Sequence, residues 1–216
     1  MKHTRCPSGL SQRGMGLAEL MVGMTIGLIL LAALGYFFLG SRQASRTHDD
    51  ISRMQESGRH ALELLGSAIR QAGYRSDADS PFAGTALTGT DGAIDTITVQ
   101  FDAQPGGEAD CAGANVAGGS LVTYAFGVNA SRQLTCNGQP VVDHIENMQI
   151  EYGIDANKDG QIEAYKAAPT AAEFPAVSAV RVTLTVRGPT PNAATDGDGF
   201  LRQTYTTTYT VRNQAW

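Results

Sequence analysis

The clearest pattern for chemistry is a short polar run between residues 155 and 163, D-A-N-K-D-G-Q-I-E. A tight turn points every second side chain inward, which is how EF-hand-type loops surround Ca²⁺ with oxygen ligands. Gly160 permits the sharp turn that such a loop needs. The candidate ligands are Asp155, Asn157, Asp159, Gln161 and Glu163. The run therefore predicts a Ca²⁺ site, and calcium is the one cofactor that the sequence suggests.

The match to a calcium loop is incomplete. Its twelfth position is Lys166, where a bidentate Glu is expected, so Glu163 would have to close the site instead. Asp and Asn also suit an ordinary polar turn between two strands, because their side chains bond to nearby backbone groups. The sequence leaves both interpretations open.

The second notable group is a lone carboxylate, Glu19, inside the apolar segment 15–40. A helix of that length reaches roughly 39 Å, enough to cross a hydrocarbon core of about 30 Å. The residues ahead of it are basic and include no acid, so the positive-inside rule predicts a cytoplasmic N-terminus and an exported remainder. A charge near the membrane centre costs at least about 2.5 kcal/mol, so Glu19 needs an explanation.

Two ordinary explanations compete. A cleaved secretory signal would have a shorter apolar part, of about 7–15 residues, and a small-x-small cleavage site, which does not stand clearly here. A plain membrane anchor would tolerate Glu19 only as an interfacial charge.

A third explanation comes from the segment 12–20, Q-R-G-M-G-L-A-E-L, which resembles the processing site of type IV prepilins and pseudopilins. The resemblance implies that the basic leader, residues 1–14, is removed by a prepilin peptidase that cuts between Gly14 and Met15. The new amine of Met15 would be methylated, and Glu19 would be the fifth mature residue. Met15 stands where Phe is commoner, and Gly16 and Ala18 are smaller than usual.

The same resemblance implies a role for Glu19. A buried carboxylate is tolerable when it has a cationic partner. In pilins the Glu of an incoming subunit is thought to pair with the N-terminal amine of a neighbour. Leaving the lipid for a filament core would then satisfy the charge.

The apolar pattern continues after the membrane segment at three- and four-residue steps as far as Ala72, which predicts an amphipathic helix over 41–73 with Gly73 as its C-cap. Three segments are similar in sequence to PilW-type minor pilins: 52–62 (S-R-M-Q-E-S-G-R-H-A-L), 69–74 (I-R-Q-A-G-Y) and 201–213.

Period-two patterns after Tyr74 predict strands, with Gly- and Asp-rich joints between them, in a β-rich periplasmic or extracellular domain over 74–216. The predicted strands are Ile94–Phe101, Leu121–Phe126, Val141–Tyr152, Val177–Val186 and Thr204–Val211. The expected fold is α+β: a long N-terminal helix, membrane-spanning in its first half, packed on an antiparallel sheet in a pilin-like domain.

The chain has three cysteines, and removal of the leader would remove Cys6. Cys111 and Cys136 would remain in the exported domain, where an oxidising periplasm favours a disulfide. Two unpaired thiols are the alternative. No CxxC or His/Cys cluster indicates a redox or metal role.

Function follows from the resemblance, because the residues indicate no enzyme: the sequence has no G-x-S-x-G, H-E-x-x-H or phosphate-binding Gly loop. The net charge of −5 gives no basic excess for nucleic acid. The resemblance implies a minor pilin for pilus assembly or priming near the tip, serving adhesion, twitching motility or DNA uptake.

The partners implied are other minor pilins, the major pilin, the prepilin peptidase, an inner-membrane assembly platform and a tip adhesin. The protein would be a single-pass inner-membrane protein before assembly and part of a surface pilus afterwards. Two alternatives remain: a minor pseudopilin of a type II secretion system, and a plain membrane-anchored periplasmic binding protein.

Overall fold

The computed structural model describes residues 16–77, 79, 81–191 and 197–213. These residues form one long α-helix, eleven β-strands and a single 3₁₀ turn at Phe174–Ala176. The predicted α+β class is confirmed. The leader and the predicted cleavage site at Gly14 and Met15 lie outside the described residues.

Helix α1 runs from Leu17 to Gln71, close to the predicted limits. The chain divides into two compact units, the first ending at Thr47 and the second beginning at His48, and α1 contributes to both. Gly73, with a φ of 71°, follows the helix in the left-handed conformation that the predicted C-cap requires.

In the first unit, α1 is exposed along its apolar length. A window of this helix is long and apolar enough to cross a membrane, and none of that window is buried inside the protein. The hydroxyl of Thr25 donates a hydrogen bond to the carbonyl oxygen of Val22 at 2.9 Å, so a polar side chain within the apolar run is satisfied by its own helix.

The second unit contains the strands, and every strand pair in it is antiparallel. Their bounds are β1 Leu87–Thr90, β2 Thr96–Asp102, β3 Glu108–Ala109, β4 Asn115–Val116, β5 Leu121–Val128, β6 Gln133–Cys136, β7 Gln139–Asp143, β8 Ile145–Ile154, β9 Ala164–Lys166, β10 Val177–Pro191 and β11 Phe200–Thr210. They form a five-stranded sheet in the order β1-β2-β5-β6-β7, a four-stranded sheet in the order β11-β10-β8-β9, and the small β3-β4 pair.

One predicted strand is wrong in its extent. The stretch Val141–Tyr152 is two strands, β7 and β8, which belong to different sheets. The break falls at His144, whose φ of 70° lies in the left-handed region and interrupts an extended backbone. The buried apolar positions shift phase here, from Val142 to Ile145, a step of three that marks the break in the sequence.

A single hydrophobic core joins one face of α1 to the inner faces of the sheets. Met54, Leu65 and Ile69 are fully buried on the helix, at the three- and four-residue steps that the sequence predicted. Alternate residues of β2 and β10 bury the opposite side, including Val99 and Leu184. The polar residues between them lie on the outer faces, as period two requires.

Buried Arg187 lies in a charge cluster that ties β8, β10 and the β11 region together. Its guanidinium nitrogens lie 3.6 Å from Glu146 and 3.2 Å from Asp198. Arg202 bonds to the same two carboxylates at 3.0 Å and 2.7 Å. The hydrogen bond from Arg202 lowers the pKa of Glu146, so this carboxylate stays charged beside the buried arginine.

Two glycines set the distance between α1 and β11. A Cβ at Gly58 would lie 2.6 Å from the ring of Tyr205, and one at Gly66 would lie 2.3 Å from the ring of Tyr209. The hydroxyl of Tyr209 donates to the carbonyl oxygen of Leu62 at 2.7 Å, which holds that ring in place. Helix and strand can therefore approach closely only where the helix has no side chain.

Replacing Gly66 with Ala is expected to destabilise the protein. Ala favours a helix interior over Gly by about 1 kcal/mol, but a methyl group against an anchored ring costs about 1–3 kcal/mol. Chemical denaturation of the full chain in detergent should show a net loss for Gly66→Ala, whereas Ser67→Ala, at the next and exposed position, should stay within about 0.5 kcal/mol of the parent. A Gly66→Ala variant as stable as the parent would contradict this account.

Candidate functional site

The first candidate site is the start of α1, where Glu19 lies in the first turn. The backbone N–H of Glu19 donates to the carbonyl oxygen of Gly16 at 3.0 Å, so the helical bonding begins there. The side chain of Glu19 is exposed. A carboxylate suits this position electrostatically, because the N-terminus of a helix carries a partial positive charge.

The surface that follows Glu19 is apolar all round. Large side chains on every side of the helix are more than half exposed, among them Met24, Leu28, Leu31 and Phe37. A helix of this kind is stable only when lipid or other apolar helices cover it. The first unit is therefore an embedding or packing element, with one carboxylate at its start.

The second candidate site is the polar loop after β8. The carboxylate of Asp155 is buried and accepts hydrogen bonds from the backbone N–H of Asp159 at 3.2 Å and of Gly160 at 2.9 Å. Glu163 turns back to accept from the N–H of Ala156 at 3.0 Å. These are the bonds of a tight polar turn, one of the two interpretations that the sequence allowed.

The same loop also brings carboxylates together. One oxygen each from Asp155, Asp159 and Glu163 lie within 4.8 Å of one another. Oxygens bound to one Ca²⁺ at 2.3–2.6 Å are separated by up to about 5 Å, so the set fits that ion. Asn157 donates to Asp159 at 3.1 Å, and the side chain of Gln161 is exposed, so neither completes the carboxylate group in this conformation.

A disulfide joins Cys111 and Cys136, whose Cα atoms are 6.0 Å apart. Cys136 is fully buried in β6, and Cys111 lies in the connection between β3 and β4. The bond thus fastens a Gly-rich segment to the five-stranded sheet. The hydroxyl of Tyr124 reaches the same segment, donating to the carbonyl oxygen of Ala109 at 3.4 Å.

The third feature, a groove in the second unit, was not predicted from the sequence. It has a volume of about 600 Å³ and lies between the second part of α1 and β7. Residues from 53 to 63 form one wall and residues 141–144 form the other. Most of its helix wall falls within the segment 52–62 that resembles PilW-type minor pilins, but the groove itself depends on how a helix face and a sheet edge meet.

Comparison with known proteins identifies the class. The family model described as Type IV Pilus-assembly protein W matches residues 116–213, and that of the prokaryotic N-terminal methylation motif matches residues 10–35. A solved structure of a type IV-like pilin from Thermus thermophilus matches with a TM-score of 0.51 and 16% identity, over 76% of this chain and 99% of that one. No curated protein matches the chain.

The fold, the exposed apolar helix and the methylation motif define a type IV pilin-like protein. Within that class, residues 116–213 match the domain described as Type IV Pilus-assembly protein W.

Loss of the disulfide is expected to destabilise the second unit. Cys111 and Cys136 are 25 residues apart, and closing a loop of that size stabilises by about 3 kcal/mol in the chain-entropy model. Cys111→Ser with Cys136→Ser should lower the unfolding midpoint, and the variant should stop responding to dithiothreitol. A parent protein that is equally stable with and without dithiothreitol would contradict this expectation.

Proposed function

We propose that this chain takes part in type IV pilus assembly, as a priming subunit near the pilus tip. The observation that carries the proposal is the apolar part of α1, from Leu17 to Leu39, whose only acid is Glu19 in the first turn, within a chain that bears the methylation motif. Its role is interaction rather than catalysis. The second unit supplies the surfaces that select neighbours.

The proposed mechanism begins with removal of residues 1–14 by the prepilin peptidase and methylation of the new amine of Met15. In the bilayer Glu19 has no cationic partner of its own. Transfer to a filament core would place it beside the N-terminal amine of a neighbouring subunit. Pairing recovers part of the cost of burying a charge, so it favours assembly and fixes the axial register of the helix.

The proposed topology is a single pass through the inner membrane with a cytoplasmic N-terminus, followed by display on the cell surface. The proposed partners are other minor pilins, the major pilin, the inner-membrane assembly platform and a tip adhesin. Adhesion, twitching motility and DNA uptake are the activities that such a pilus would support.

The processing step predicts two measurements on membranes from cells with and without the peptidase. The intact mass should correspond to a chain that begins at Met15 and carries one methyl group only when the peptidase is present.

The Glu19→Ala variant should be processed normally, yet its amount in sheared filaments should fall at least about tenfold, because the buried pairing is lost. Asp49→Ala, which removes an exposed carboxylate later in the same helix, should assemble like the parent.

A chain that keeps residues 1–14 in both strains would make Glu19 an interfacial charge on an ordinary anchor. A minor pseudopilin of a type II secretion system remains the second candidate, since it shares the helix and the glutamate. The match over 116–213 favours the pilus. Recovery of the chain in sheared pili, with secretion unchanged in its absence, would support the pilus over the secretion system.

We also propose that the loop of Asp155, Asp159 and Glu163 binds Ca²⁺. Its support is the clustering of three carboxylate oxygens within 4.8 Å, which costs repulsion that a cation would remove. Asn157 and Gln161 would complete the ligand set by small side-chain rotations. The ion would tie the end of β8 to the start of β9.

Calcium binding predicts a measurable stabilisation. A site with a dissociation constant near 1 mM, within the range of weak extracellular sites, would add about 1.4 kcal/mol in 10 mM calcium. Differential scanning calorimetry should show a higher midpoint for the parent and none of this gain for Asp159→Ala. Asp91→Ala, which removes an exposed acid from another loop, should keep it. A parent protein unaffected by calcium would leave the loop as a polar turn.

A further inference from the structure

The groove between α1 and β7 presents the edge of a strand on one wall. Four consecutive residues, 141–144, line that wall. Successive side chains of a strand point to opposite faces, so consecutive residues share one cavity where the strand turns its backbone edge toward it. β7 is the terminal strand of its sheet and pairs with β6 alone in the part of the chain that the structure describes. Its second edge is therefore open to the groove.

The opposite wall is one face of α1. Its charges alternate in sign along the helix axis: Arg53, Glu56, Arg59 and Glu63. Their spacing of three and four residues would allow them to pair with one another. None of the four forms an ion pair within the described ranges. The four charges are therefore available to a partner.

The size of the groove suits a short peptide segment. From Arg53 to Glu63 the helix rises about 15 Å at 1.5 Å per residue. An extended chain covers that distance with about five residues at roughly 3.3 Å each. The volume of about 600 Å³ lies in the range of sites that enclose a ligand rather than a single ion.

We propose that this groove binds an extended segment of a different pilin subunit, which adds to the open edge of β7 as a short strand. Among the side chains of the segment that face α1, which are every second residue of an extended chain, acidic and basic groups alternate so that they meet opposite charges on the helix. The inference rests on the proposed function, because such a neighbour is present only in the pilus or its priming complex.

The strand wall and the helix wall contribute differently to recognition. Backbone hydrogen bonds to an open strand edge supply affinity for any extended segment, and side-chain contacts supply selectivity. The alternating charges of α1 also fix the register, because a shifted segment places like charges opposite each other. A free anion would not fit this pattern, since two carboxylates interrupt the row of cations. A mixed-charge segment does fit it.

The test is photo-crosslinking in cells that assemble pili. The photoreactive residue p-benzoylphenylalanine is placed in the full chain at His60 on the helix wall, at Asp143 on the strand wall, and at Thr206 on β11 as a control. All three positions are exposed. Sheared filaments and detergent-extracted membrane complexes are irradiated, and the crosslinked peptides are identified by mass spectrometry.

The probes at His60 and Asp143 are expected to crosslink to one and the same segment of another pilin, and the probe at Thr206 to a different segment or to none. Arg59→Glu should reduce the groove crosslinks about tenfold by placing like charges together, whereas Lys158→Glu on the polar loop should not. Crosslinks from the two walls to unrelated segments, to a second copy of this chain or to no pilin would overturn the inference.

The proposed function fails separately. If the chain is present in filaments or priming complexes but the groove gives no crosslink, the groove inference is wrong and the pilus role stands. If the chain is absent from both fractions, as Glu19→Ala is expected to be from filaments, the pilus role and the inference fall together.

Discussion

The constraint on which the rest of the molecule depends is an apolar helix that the protein itself leaves uncovered. Residues from Leu17 to Leu39 expose large hydrophobic side chains all round. Exposed apolar surface costs about 25 cal/mol per Å², so this segment must reside in lipid or among other helices. In the proposed assembly mechanism Glu19 would distinguish the two surroundings, because a bilayer would offer it no cation and a filament of methylated pilins would. The same helix would then serve both as a membrane anchor and as the part of the chain that favours transfer into a filament.

The second part of α1 differs from the first, because the sheet domain of the same chain covers one of its faces. Asp50 is the first buried residue of α1, and its carboxylate accepts a hydrogen bond from the hydroxyl of Thr190, so this buried polar group has a partner. Gly58 and Gly66 then let tyrosines of β11 lie against the helix backbone. One continuous helix therefore has two kinds of surface. Its first part exposes apolar side chains that other molecules would cover, and one face of its second part packs on the sheet domain.

Local patterns made much of this predictable. The continuous apolar run located the start of α1 to within two residues, and the three- and four-residue steps located its end to within one. Period two found the long strands, because it follows from side-chain geometry within a single element. The two-residue strands β3 and β4 lie in a Gly-rich segment, where no alternation can develop. The break at His144 and the groove beside it were not predicted, because a left-handed backbone conformation and a groove between a helix and a strand depend on the folded chain. The carboxylates of the polar loop were predictable from their alternate spacing, but the burial of Asp155 and the backbone partners of the loop were not.

Open strand edges and unpaired charges usually count against a domain that is to remain alone, since natural sheets protect their edges from other chains. On its helix side β7 borders the groove of about 600 Å³, and the strand includes Pro140, which has no backbone N–H to donate. Such an edge can pair with one short strand but does not favour the continued strand pairing that leads to aggregation. If the chain binds particular neighbours as proposed, this combination would allow one added strand without promoting aggregation through the same edge.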